Sequence, residues 1–148
     1  VLRLIVPHLG FTEKPVPDKI PEDLEKVIEK LNKESKTNRE FLTKAYGHIT
    51  DRFHGARLKT ITKWWYSFRD VFSYNSGYVP CNLHNYLLRI MLIKSKRFSE
   101  KDIKIKTVFF NFFIHQYLQV KVDSKWINVD PNSKYWGVPF GKRAILFG

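Results

Sequence analysis

The chain has 148 residues, a net charge of +12 and a single cysteine, so one domain with its own apolar core is expected, and a disulfide framework within the chain is excluded. No stretch reaches the roughly 18 apolar residues that cross a bilayer, and the first residue is Val1, as expected of a mature or trimmed fragment. The charge is uneven: residues 1–40 hold 8 basic and 8 acidic side chains, and the whole excess falls in residues 41–148. Such an excess fits a solvated lysine-rich surface, or an anionic partner.

Residues 1–21 contain Pro7, Pro15, Pro17 and Pro21, which rule out a helix and predict an extended lead-in. Residues 22–55 read as a helical N-terminal part. Pro21-Glu22-Asp23 starts a helix, Leu24, Val27, Ile28 and Leu31 give its apolar stripe, and it should run to about Ser35. Thr37 or Asn38 caps a second helix, with Phe41, Leu42, Ala45, Tyr46 and Ile49 on its buried face, fading near Phe53-His54-Gly55. Leu58, Ile61, Trp64, Trp65 and Phe68 fit a further helix, and residues 73–80 are a loop by composition.

Residues 81–94 are apolar almost all round (Leu83, Leu87, Leu88, Ile90, Met91, Leu92, Ile93), the signature of a central buried helix. Residues 99–102 form a turn, and residues 103–114 read as one strand covered on both faces. Residues 116–122 alternate, Asp123-Ser124 is a turn and residues 125–130 alternate again, which predicts a hairpin. The tail carries Gly137, Pro139 and Gly141, with a short closing strand at 144–147. The fold class is α+β, helices first and then an antiparallel sheet packed on the central helix.

Alternation places Leu118, Val120, Val122, Ile127 and Val129 toward the core, so His115, Tyr117, Trp126 and Asp130 share the other face. A two-residue turn pairs Val122 with Lys125 and Tyr117 with Asp130, making Asp130 a diagonal neighbour of His115 at about 7–8 Å between backbones. A four-residue loop keeps this register, whereas a three-residue loop would separate the pair.

Cys81 opens the buried helix after the Gly77-Tyr78-Val79-Pro80 turn. A thiol needs a base to become a strong nucleophile, and His115 is the candidate. A helix N-terminus adds positive potential, and Asp130 would fix the tautomer of the imidazole. The Cys81 backbone N–H and the 74–78 loop, with Tyr74, Asn75 and Tyr78, are candidates for oxyanion or substrate contacts. His84, three residues after Cys81, ranks below His115 as base because one helix turn offers no third, orienting group. His8, His48 and His54 have no metal-ligand spacing with Cys81, so neither a zinc site nor any cofactor is expected.

Residues 72–137 resemble the transglutaminase-like superfamily, whose fold is related to papain-type cysteine proteases. The resemblance rests on Cys81 at the start of a buried helix, on Leu87-Leu88-Arg89 within it, and on His115-Gln-Tyr-Leu-Gln-Val-Lys-Val followed by Lys125-Trp126-Ile-Asn-Val-Asp130-Pro131-Asn132. The chain departs from the family pattern at Pro80, where glycine is usual, at Tyr117, where tryptophan is usual, and at Asn132, where threonine is usual. The resemblance implies a single transglutaminase-like domain over 1–148. It also implies a catalytic Cys81, His115 and Asp130, with Tyr117 and Trp126 near the substrate, acting on a protein or peptide amide as peptidase, amidase or transamidase. The alternative within the same fold is a non-catalytic module whose basic surface binds an anionic partner.

Overall fold

The computed structural model describes residues 14–56, 59, 62–63, 65–66, 69–110 and 113–144, with only the backbone described at 109, 110, 113 and 114. Among the described residues, three helices and a three-stranded antiparallel sheet make an α+β fold, with one small parallel strand pair beside them.

Helix α1 (Glu22–Lys33) begins after Pro21 with three acids in its first turn and ends with Lys30 and Lys33 in its last. It stops two residues short of Ser35. The Ser35 hydroxyl bonds back to the Leu31 carbonyl (2.6 Å) and the Arg97 guanidinium takes the Asn32 and Ser35 carbonyls (3.1 and 2.7 Å), so a long-range cation caps the end. Helix α2 (Asn38–Arg52) is capped by Thr37, whose hydroxyl accepts from the Glu40 N–H at 3.1 Å, and it buries the five expected residues.

Strand β1 (Phe53–His54) follows directly and pairs in parallel with β2 (Gly77–Tyr78). The loop expected over 73–80 therefore contains a short strand. Gly77 at φ +94° turns the chain so that Tyr78 aligns with His54, and the Val79 N–H donates to the His54 carbonyl at 3.2 Å. The helix expected from Leu58 to Phe68 falls mostly outside the described residues, as do the lead-in up to residue 13 and the closing strand beyond Ala144.

Helix α3 (Cys81–Lys94) has the expected bounds and packs between α2 and the sheet. Leu83, Leu88, Ile90, Met91 and Leu92 are fully buried, as is His84, and the polar Asn82, Asn85 and Arg89 are buried too. Arg89 reaches Glu100 with two nitrogens at 2.8–3.0 Å.

The apolar run expected as one strand over 103–114 is divided between β3 (Ile103–Phe110) and β4 (Phe113–Val122), which pair antiparallel. His115 is accordingly the third residue of β4 and not its start. The order is β3-β4-β5, with β5 at Lys125–Val129. As an edge strand, β3 is covered on one face only over its first residues: Ile103 is buried and Ile105 half-buried, whereas Lys104 and Lys106 on the other face are exposed.

The β4–β5 turn has two residues, Asp123 and Ser124, both left-handed (φ 50° and 65°), the conformation of a type I′ turn. Val122 pairs with Lys125 and Leu118 with Val129, which is the register expected from alternation. Leu118, Val120 and Val129 are buried against the helices. On the opposite face, a 3₁₀ turn (Asn132–Trp136) and the segment to Ala144 fold back over one end of the hairpin, bridged to the sheet at Asn128 and Gly141.

Ser124→Gly removes the cost of a left-handed side chain and should raise unfolding stability by about 1 kcal/mol. Leu88→Ala should lower it by about 2–5 kcal/mol through loss of packing in a closed core. Urea midpoints at constant slope measure both, and equal effects at the two positions would contradict the assignments of turn and core.

Candidate active site

The N-terminus of α3 holds Cys81 partly exposed. Pro80, extended at ψ 161°, delivers the chain into the first turn, and its carbonyl accepts from the N–H groups of Leu83 and His84 (both 3.1 Å). The Cys81 N–H lies in that first turn, where an α-helix offers no acceptor of its own.

His115 and Asp130 come together as the hairpin register requires. Nε2 of His115 lies 2.8 Å from Oδ2 of Asp130, and the two residues are 3% and 2% exposed. A carboxylate so buried needs donors. Asp130 receives them from the imidazole, from the Ser133 N–H (3.2 Å) and from the Ala144 N–H (3.0 Å). With Nε2 turned to Asp130, Nδ1 is the nitrogen left to face Cys81.

Burial opposes a charge on His115. The hydrogen bond to Asp130, the hydrogen bond to and charge of Cys81, and the charge of Asp130 outweigh it and raise the imidazole pKa from 6.5 to about 10. Cysteine, histidine and aspartate thus act on one another in a single cluster, with the proton held on the ring between two acidic groups. The Trp136 ring lies 6.4 Å from the imidazole and helps to shield it.

His84 is fully buried beneath this site. Its Nδ1 lies 3.3 Å from the Pro80 carbonyl and 3.2 Å from the Asn132 amide nitrogen. Burial lowers its pKa to about 4, and the Pro80 and Phe53 carbonyls only partly offset this. It stands as a neutral packing and hydrogen-bonding group.

Tyr74 and Asn75 line a cavity of about 120 Å³ with Leu24, His48, Arg52 and Phe53, and the Asn75 carbonyl accepts from Arg52 at 3.2 Å. Tyr78 is buried against Tyr66, with ring centroids 6.0 Å apart. Tyr117 follows His115 on the same face, buried under the Arg143 guanidinium at 5.5 Å from its ring. Trp126 lies four residues from Asp130 along β5, 38% exposed, with the Lys104 ammonium 4.0 Å from its ring centroid.

Two contributors escape the sequence reading. The Ser133 hydroxyl, fully buried, sits 3.3 Å from Nε2 of His115. Asn132 bonds to Val79 and His84 and presses on Gly55, where any β-carbon would come within 2.7 Å of its amide. Their signal was their position: both directly follow Asp130-Pro131, where a polar pair caps a turn. Among the described residues, no group of three or more His, Cys, Asp or Glu side chains is arranged to hold a metal ion.

Comparison with protein-family models, with curated proteins and with solved structures returned no match.

The two histidines should titrate on opposite sides of 6.5. Because the folded pKa of His115 is raised to about 10, its contribution to stability is complete below 6.5 and fades as pH rises through 10. His84 works in reverse: with a folded pKa of about 4, stability falls as pH drops from 6.5 to 4. Proton NMR should show His84 neutral at pH 5. It should also show His115 losing its proton at lower pH in Cys81→Ala and in Asp130→Asn. Coincident titration of both rings near 6.5 would refute the cluster.

Proposed function

We propose that the chain is a thiol enzyme that transfers the acyl group of an amide, with Cys81 as nucleophile, His115 as base and then acid, and Asp130 as the orienting carboxylate. The observation that carries the reading is the 2.8 Å His115–Asp130 bond, buried, on a ring whose charge Cys81 also supports. The same arrangement supports the finer reading of the fold as a transglutaminase/papain-like core.

The chemistry follows from the placement. The Cys81 sulfur attacks the carbonyl carbon and His115 holds the proton. The oxyanion forms beside the Cys81 N–H and the positive end of α3. The imidazolium protonates the leaving nitrogen, the C–N bond breaks and a thioester remains. Water activated by His115 then attacks the thioester and returns the thiol, releasing a carboxylic acid; an amine in the same place would give a new amide. Hydrolysis is the favoured outcome, since Cys81 is partly exposed and water reaches it. Asp130 keeps Nε2 engaged so that Nδ1 stays aimed at sulfur and carbonyl.

Cys81→Ala should abolish covalent labelling by a peptidyl vinyl sulfone. Asp130→Asn should slow labelling by about 10³-fold or more, because the ring can then adopt the wrong tautomer. His115→Gln should slow alkylation of Cys81 by iodoacetamide at neutral pH by more than about tenfold. Mass spectrometry of the labelled chain reads all three, and a rate that does not change on losing His115 would sink the assignment.

A further inference from the structure

The outer face of the sheet has two halves of different character. Near His115 it is closed by the segment carrying Ser133, Trp136 and Ala144. Beyond Tyr117 it is open. Pairing places Lys106 beside Tyr117, Lys104 beside Gln119 and Lys121 beside Trp126, all on this one face. Lys104, Lys106 and Lys121 are exposed, and among the described residues none is in an ion pair. Arg143 adds a fourth cation on the Tyr117 ring. Among the described residues, Asp130 is the one acid on the face itself, and it is buried against His115. Asp123 in the turn and Asp102, whose carboxylate is bonded by Ser99 and lies near Lys121, stand only at the far end.

This basic strip begins next to the candidate active site. Lys106 is the diagonal neighbour of His115 across the β3–β4 pair, and Lys121 lies about 13 Å further along β4 than Tyr117 at the usual rise per residue. Lys104 and Lys106 are two residues apart on one face, the same period at which an extended peptide presents its side chains. Four positive groups on one side of a reactive thiol concentrate negatively charged ligands there and orient them.

We propose that Lys104, Lys106, Lys121 and Arg143 form a docking track for acidic residues of the peptide whose amide is presented to Cys81 and His115. The proposal rests on the thiol reading given above and adds the substrate class to it. An acidic peptide is favoured over single-stranded nucleic acid. The exposed aromatic ring on the track, Trp126, already carries the Lys104 ammonium on one face, which leaves a poor platform for stacked bases. The extended period of the lysines and the amide chemistry of the neighbouring site both suit a peptide.

Two vinyl sulfone peptides that differ only in a tetraglutamate or a tetraglutamine extension test the track. At low salt the tetraglutamate probe should label the wild-type chain about tenfold faster, and the advantage should vanish at high salt. In the combined variant Lys104→Glu, Lys106→Glu, Lys121→Glu, with its fold checked by circular dichroism, the ratio of the two rates should fall to about one or below. Equal rates on the wild type would overturn the track. Binding of a fluorescent tetraglutamate peptide to Cys81→Ala, read by anisotropy, separates the two readings. Salt-sensitive binding there, with no labelling of the wild type, upholds the track and removes the thiol reading alone. Absence of binding removes the track whatever the thiol does. Displacement of the peptide by a tighter-binding oligothymidylate would also overturn it, by giving the face to nucleic acid.

Discussion

An ionised carboxylate that is 2% exposed has to be solvated by the protein itself, and Asp130 sets this requirement for everything around it. Its donors come from three separate places: the β4 imidazole, the 3₁₀ turn three residues on, and the backbone of Ala144. The C-terminal segment therefore cannot be simple surface coil. It must return to the sheet to bring the Ala144 N–H to Oδ2, and in returning it covers His115 and Tyr117. Gly137 and Gly141, at φ +84° and +88°, sit on this return path in conformations that disfavour a side chain. Loss of any one donor would leave a buried charge underpaired, so the stability of the sheet end and the geometry of the candidate site are one property.

That geometry depends in turn on parity. Two residues in the β4–β5 turn keep His115 and Asp130 on the same face, and a register slip of one residue would move one of them into the core. This part of the site was legible in the sequence because alternation and turn length suffice to derive it. The strand boundary before His115 was not. Residues 108–114 are apolar apart from Asn111, without the glycine or proline that usually marks a reversal, so composition hides the division between β3 and β4. Burial on the outer face was hidden for a different reason. Alternation tells which side His115 and Tyr117 face, but not that a segment from the tail covers them.

Helix α3 was legible to the residue because an all-round apolar sequence has few other stable placements. Its buried polar residues were less readable, since each answers to a partner far along the chain. The Asn85 amide donates to the Gln116 carbonyl at 2.7 Å, tying the helix one turn below Cys81 to the residue after His115. Asn132 holds His84 and the Val79 carbonyl, tying the same turn to β5 and β2. The helix turn that carries the thiol is thus tied to the strand that carries the imidazole by amide side chains. Amide side chains carry no charge, so the site is set without adding further buried charge.

The same division of labour explains the uneven charge of the chain. The core side of the sheet carries Leu118, Val120 and Val129 and packs on the helices by burial, with the Asn85–Gln116 hydrogen bond beside them. On the outer side His115 answers to Cys81 of α3, and the other strand positions are open to other demands. Where the tail covers it, those demands are met by the His115–Asp130 pair. Where it stays open, Lys104 and Lys106 occupy alternate positions of β3 and Lys121 lies on β4, with Asp102 near Lys121 at the far end. Exposed cations left unpaired add little to stability and repel one another, so folding alone does not call for their arrangement on one face. The proposed docking track supplies a reason: a field of one sign beside the imidazole would select acidic peptides over others.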